Sequence, residues 1–381
     1  MKTYCFLIFL FKCIIANFFL YAQNNQIWCI QKDSSTSLPH DIQNSTLLFF
    51  GETHEFACNP LITLELLKKL SKNNHKLTLT IEFGFAEAWL YQQYLQSQNS
   101  ALLAATVYSK YTEYNQFWND LYSFNQTLPQ NKKLRIIGLD FERPKAVKKI
   151  FKAALDSLHA HQISATAFIK ITQNYLTIKD SSTSMSYAAM QHFFTQLQTT
   201  FDKKYITAIF ADYQLPIWEI ITNKVPFWHL PTNETEQLAY TQKNMPMREK
   251  EMYHNLCKQY QKGEQYLAVF GAAHTDLSWN ISLAYLLNNR KDSPFQQQVI
   301  CLNAHYDGCL LDDTTILEES FLHDDILNLK EIDTFKKGVL QQCNIQLIKL
   351  NRQNKIHRKI LSTGQYLFWI TQQKSLQKLN E

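Results

Sequence analysis

The sequence predicts an α/β fold: a mostly parallel central sheet flanked by helices, with a long helical insertion over residues 144–262. Three observations lead there. Short apolar runs alternate with helix-like segments from residue 46 to residue 160, the order that builds parallel sheets with helices on their faces. Four such runs end directly in acidic residues or in a glycine followed by Glu or His. With 8 Gly and 9 Pro in 381 residues, little punctuates the remaining helical pattern. Apolar residues make up 45%, enough for a large core and against disorder.

Residues 1–22 stand outside the fold. Lys2 precedes an apolar stretch from Tyr4 to Tyr21, and Ala22 offers a small residue at a cut site. That is the pattern of a secretory signal peptide, with a secreted or periplasmic destination. Lys12 interrupts the run and argues against a stable membrane anchor. A single domain is then expected over 23–381. Its net charge of +5 is scattered, with no basic run interleaved with aromatics, which disfavours nucleic acid as a partner.

Thr46–Phe50 reads as the first buried strand, ending at Gly51. Asn59-Pro60 starts a helix, Asn as N-cap and Pro in the first turn, with Ile62, Leu66, Leu67 and Leu70 on its apolar face. Leu77–Ile81 is the second strand, followed by a helix over 86–95. Leu134–Leu139 is the third, and Pro144 opens the next helix. From there to Lys262 the pattern is helical, too long for one crossover, and forms the insertion. Strands resume at Tyr266–Phe270 and Gln298–Leu302, and Ile345–Leu350 and Tyr366–Ile370 complete the sheet.

Six cysteines follow the leader: Cys29, Cys58, Cys257, Cys301, Cys309 and Cys343. Export permits disulfides, but spacing leaves the pairing open; Cys301 and Cys309 are near enough to bridge a turn, and buried free thiols are the alternative.

The strand ends carry the chemistry. They supply Gly51-Glu52-Thr53-His54, then Glu82, then Asp140 with Glu142 and Arg143, then Gly271-Ala272-Ala273-His274. In a parallel sheet these ends share one edge, where ligands bind. Charges directly after buried runs are costly unless paired, so their recurrence singles out Glu52, His54, Glu82 and His274 as catalytic candidates. Arg248, Met252 and Asn255 are spaced i, i+4, i+7 and share a helix face that presents a guanidinium and an amide. Asp140, Arg143, Arg248 and Asn255 are the substrate-binding candidates. The same two His and two Glu also make a ligand set for a divalent zinc, manganese or iron ion, so the choice between no cofactor and one metal stays open. Other signatures are missing: no G-x-S-x-G elbow, no P-loop, no dinucleotide fingerprint. His54-Glu55 matches the start of H-E-x-x-H, but Cys58 stands at the fifth position and Pro60 follows, against a zincin.

Gly51-Glu52-Thr53-His54, Glu82 and Gly271-Ala272-Ala273-His274 together resemble the superfamily of erythromycin esterases, ChaN-like haem-binding proteins and TIKI/TraB metalloproteases. Arg248-Glu249-Lys250-Glu251-Met252-Tyr253-His254-Asn255 is similar to the R-[DE]-x-x-M-x-x-N helix of the esterase branch, and Ile137-Gly138-Leu139-Asp140 to its G-[FL]-D segment. The Gly-Glu-x-His spacing looks more like the ChaN-like branch. The resemblance implies hydrolysis of an ester, lactone or related bond of a small-molecule or peptide substrate by activated water. His54 would be the general base, Glu52 or Glu82 would fix its tautomer, His274 would position water, and Arg248 would add positive charge at the oxyanion. It also implies two alternatives: a TIKI-like metal-dependent peptidase, and a haem-binding module for which His305 and Tyr306 are ligand candidates. A domain that has lost its activity is a further alternative.

Overall fold

Alternating side chains decide how the strands sit. Along β2 (Leu47–Glu52) every residue is buried; Leu47 and Phe49 enter one apolar layer and Leu48 and Phe50 the other, the period-two consequence of an extended chain covered on both faces. The computed structural model describes residues 27–30, 37–160, 165–179, 183–210, 215–226, 240–310, 316–317, 343–351, 355–361, 363–371 and 373–378. The expected signal segment lies outside them.

The other strands are β1 (Ile27–Cys29), β3 (Lys76–Ile81), β4 (Arg135–Gly138), β5 (Glu264–Gly271), β6 (Val299–Asp307), β7 (Cys309–Leu310), β8 (Ile316–Leu317), β9 (Ile345–Lys349) and β10 (Tyr366–Thr371). Eight form one sheet in the order β1-β9-β10-β6-β2-β5-β3-β4, and β7 pairs with β8 apart from it. From β10 to β4 every pairing is parallel. Only the β10–β9–β1 edge is antiparallel. The predicted α/β class with a mostly parallel sheet is therefore the observed one.

Helices cover both faces. Helices α1 (Cys58–Leu70) and α3 (Thr112–Thr127) pack on the face of Leu48, Phe50 and Leu79. Helix α2 (Phe85–Ser97) packs on β4 and gives Leu90 to one layer and Tyr91 and Tyr94 to the other. The region 144–221 is helical, as α4 (Pro144–Ala160), α5 (Thr166–Leu176), α6 (Thr183–Thr200), α7 (Lys203–Phe210) and α8 (Ile217–Ile221). Its Phe151, Phe168, Phe193 and Phe210 join Leu47, Phe49 and Phe270 in one continuous core, so the insertion is packed onto the sheet. Helix α9 (Met245–Gln259) follows and leads into β5.

Some local expectations need correction. Helix α1 begins at Cys58, and Asn59 is not its N-cap. The Asn59 amide instead donates to the Thr53 carbonyl at 2.8 Å and its oxygen accepts the Tyr306 hydroxyl at 2.6 Å, pinning the loop that carries His54. Strand β4 stops at Gly138, one residue short of the expected end, where the backbone passes close to the loop after β3: a Cβ there would strike the carbonyls of Phe83 and Gly84. Cys301 and Cys309 are buried free thiols; the disulfide joins Cys29 to Cys343 and fastens β1 to the segment before β9. Residues 373–378 cross the His54 loop as a strap. The Ala57 N–H donates to the Lys374 carbonyl at 3.0 Å, Leu376 N–H to Glu55 carbonyl at 2.8 Å, and Thr112 N–H to Gln377 carbonyl at 2.8 Å.

Candidate active site

Sheet order brings the predicted residues together. Strands β2, β5 and β3 are neighbours, and Glu52 lies opposite Gly271 in the register. The Gly271 N–H donates to Glu82 Oε2 at 2.7 Å. A Cβ at Gly271 would sit 3.1 Å from His54 Nε2, so glycine leaves room for the imidazole. Gly51 has a parallel role, since a Cβ there would collide with the side chains of Thr275 and Asn303.

His54 lies between two carboxylates, with Nδ1 at 3.1 Å from Glu52 Oε1 and Nε2 at 3.5 Å from Glu82 Oε2. Its side chain keeps 44% of its surface open while Glu52 keeps 4%. Burial opposes a charged ring, but hydrogen bonds and negative charge from Glu52 and Glu82 outweigh it and raise His54 to about 10. Burial also pushes Glu52 up, and the pairing with His54 offsets that only partly. Glu52 Oε2 is buried and has no hydrogen-bond partner among the described residues.

Glu82 is the hub. Its Oε1 accepts Arg248 Nη2 at 2.7 Å and faces His274 Nε2 at 3.0 Å. Burial would raise it, but the two histidines hold it well below the ordinary carboxylate range. Arg248 also grips Asp140 with Nε and Nη2, at 2.9 and 2.7 Å, a two-pronged pairing that fixes the guanidinium plane. His274 is buried, and its Nδ1 meets Glu249. Burial lowers its proton affinity, but Glu249 and Glu82 raise it to about 9. Four carboxylates, Glu52, Glu82, Asp140 and Glu249, thus surround one guanidinium and two imidazoles. That balance favours two protonated rings at neutral pH.

Glu249 is the functional residue that sequence reasoning missed. Its other oxygen accepts the Leu283 N–H at 2.7 Å, so it locks His274 against the next helix. The signal was present: Glu249 follows Arg248 within the motif, and a full turn of helix is not needed for adjacent residues to meet different partners above one sheet edge.

The remaining predicted residues divide. Arg143 donates to Glu87 at 3.1 Å and lies over the rings of Phe83 and Phe141, at 4.7 and 4.8 Å. Asn255 is bound to the Leu139 carbonyl at 2.9 Å and is not among the cavity-lining residues; it supports the β4 loop. Asp140 is buried behind Arg248. Glu142 accepts the first N–H groups of α2, Phe85 at 2.8 Å and Ala86 at 3.0 Å, and its burial pushes it to about 7.

A cavity of about 440 Å³ opens beside the cluster. Glu52, His54, Glu82, Arg143 and Arg248 form its polar wall, and Phe83, Tyr91, Tyr108, Tyr114, Phe117, Trp118, Phe141 and Tyr187 most of the rest.

The cluster does not fit a cation as arranged. Each imidazole nitrogen of His54 and His274 already faces a carboxylate oxygen, and Arg248 occupies Glu82. Among the described residues no three His, Cys, Asp or Glu side chains converge in metal-ligand geometry. Nor do the named haem-ligand candidates fit. His305 is buried against Trp369, ring centroids 4.3 Å apart. Tyr306 is buried, stacked on Phe56 and bonded to Asn59.

Comparison with known proteins gives the family and the fold. The model of the family described as haem-binding uptake, Tiki superfamily, ChaN, matches residues 38–283, a span that holds every residue of the cluster. The chain belongs to this family. Among solved structures the ChaN-family chain is similar to a Bacillus cereus protein, with 12% identity, a TM-score of 0.54 and coverage of 89% of this chain and 91% of that one. It is also similar to a succinoglycan biosynthesis protein, with 13% identity, a TM-score of 0.57 and coverage of 88% and 90%. A mutant of the erythromycin esterase EreC in its open conformation matches at 11% identity and a TM-score of 0.55, covering 89% and 93%. These likenesses establish the shared fold. A comparison with curated proteins gives no match. Among the described residues of this ChaN-family protein, no helix is long and apolar enough to cross a membrane.

Proposed function

We propose that the protein is an exported hydrolase that cleaves an ester or related acyl bond with water activated at His54. The observation that carries the reading is the environment of that imidazole. It is open to a cavity, yet its Nδ1 is anchored on buried Glu52 and its Nε2 faces Glu82 at 3.5 Å. Nδ1 is the held nitrogen and Nε2, with the longer contact, is the one free to exchange a proton with water.

In the neutral ring, Nε2 takes a proton from water as the water oxygen attacks the acyl carbon. The imidazolium then returns the proton to the departing alkoxide, giving an acid and an alcohol. Arg248, which lines the cavity, supplies positive charge beside the developing oxyanion. His274, with Glu249 behind it, holds Glu82 in place. No metal enters these steps. Export is supported by the apolar leader-like stretch and by the Cys29–Cys343 disulfide, since such bonds persist in oxidising compartments.

A base that titrates at about 10 is neutral in roughly one molecule per thousand at pH 7. Turnover of a 4-nitrophenyl ester should therefore climb with pH into the alkaline range. His54→Gln should lower kcat about 10²- to 10⁴-fold with unchanged folding by circular dichroism, and chelation should leave the wild-type rate intact. A His54→Gln protein of wild-type activity would sink the assignment.

A further inference from the structure

We infer that the substrate of this site carries an aromatic acyl group, and that the cavity beside His54 is its binding pocket. The inference rests on the hydrolase reading and adds a substrate class to it. Two stacked ring pairs stand in the cavity wall. Tyr91 lies on Trp118 with centroids 4.0 Å apart, and Tyr108 on Tyr114 at 4.1 Å. Phe117 joins them, edge-on to both Trp118 and Tyr114. Packing these rings against one another fixes their positions, so they form a rigid wall before any ligand arrives, which lowers the ordering cost of binding.

The chemistry of the wall selects the ligand. Ring faces and edges favour a partner that is itself a ring, in offset or edge-on contact. Tyr108 and Tyr114 hydroxyls make no hydrogen bond among the described residues, although both rings line the cavity. They suit a ring that also bears an oxygen. Arg143 is held flat between Phe83 and Phe141 by Glu87 and adds a donor to the cavity lining. A volume of about 440 Å³ lies in the range of small-molecule sites and is far larger than an acetyl group needs. The polar lining comes from Glu52, His54, Glu82, Arg143 and Arg248 and most of the rest is aromatic, so the scissile bond is assigned to His54 and the ring to the aromatics.

The test compares 4-nitrophenyl benzoate with 4-nitrophenyl acetate, each rate normalised to its hydroxide-catalysed rate. Each buried methylene equivalent is worth about fourfold, so kcat/KM should favour the benzoate by on the order of 10²-fold. Phe117→Ala should collapse that preference to about tenfold or less. A His54-dependent enzyme that prefers acetate, or a preference unmoved by Phe117→Ala, overturns the inference and leaves the hydrolase reading standing. Binding separates the two ideas. Benzanilide, whose anilide bond is far less reactive than an activated ester, should quench tryptophan fluorescence of the wild-type protein with saturation, and Phe117→Ala should weaken that binding about tenfold or more. Saturable benzanilide binding with no ester cleaved supports the aromatic pocket and defeats the hydrolase reading; no saturable binding defeats the pocket. Should Phe117→Ala fail to fold, Val107→Trp, at a position 37% exposed beside the cavity, should occlude the pocket and suppress both benzanilide binding and the benzoate preference.

Discussion

Replacing Glu52 with glutamine removes one negative charge from His54 while keeping an oxygen that can accept its Nδ1–H. The charge stands 3.1 Å from the ring. At that distance a unit pair is worth about 5 kcal/mol at an effective dielectric of 20 and about 1 kcal/mol in bulk water. The ring keeps 44% of its surface open, so screening places the effect near the lower bound. About 1.5–3 kcal/mol corresponds to about one to two pH units. The His54 midpoint should fall from about 10 to about 8–9 in Glu52→Gln. The ring Cε1–H resonance followed by NMR titration reads it directly, and the alkaline limb of kcat/KM should move by the same amount. Folding raises the proton affinity of this ring, so its contribution to stability is complete below its ordinary value of 6.5 and is lost as pH rises through about 10. A wild-type midpoint near 6.5, or a midpoint unmoved by Glu52→Gln, would refute the paired-carboxylate account.

Three further outcomes follow from the packing. Arg248→Met should destabilise the protein by about 3–5 kcal/mol in urea denaturation, because it leaves buried Asp140 without its cation and takes one of three from Glu82; a loss below about 1 kcal/mol would contradict the pairing. Glu142 is raised to about 7 by burial, so the fold favours its protonated form and stability should fall, by about 3 kcal/mol at most, as pH rises from 4.5 through about 7; Glu142→Gln should remove that slope, and an unchanged slope would place its origin elsewhere. Gly51→Ala should cost about 1–3 kcal/mol through collision with Thr275 and Asn303, read as a lowered Tm, and an unchanged Tm would show that the pair yields.

How far the sequence carried depends on whether the signal was local. Strand ends were legible because a buried apolar run followed by Glu or His is an anomaly visible within a few residues, as at Phe50-Gly51-Glu52 and Ile81-Glu82. The parallel arrangement was legible from the alternation of elements. The edge was not: β1 is three residues long and its place beside β9 depends on pairing across the whole chain. Helix α3 was missed because its buried face, Phe117, Trp118 and Leu121, sits among Asn, Gln and Tyr that dilute the period. Asn59 read as an N-cap because that position suits its chemistry, yet two long-range hydrogen bonds claimed the side chain instead. Asn255 shares a helix face with Arg248 as expected, but the face is long enough that one end meets Glu82 and the other a loop carbonyl.

The strap of residues 373–378 ties synthesis to competence. Glu55 and Ala57 leave the ribosome long before Lys374, Leu376 and Gln377, which satisfy their backbone groups and that of Thr112. A nascent chain can assemble β2, β3 and β5 and still hold its imidazole on an untethered loop. Leu376→Pro, which removes the N–H that the Glu55 carbonyl accepts, should therefore spare the sheet and lower the proposed hydrolase activity.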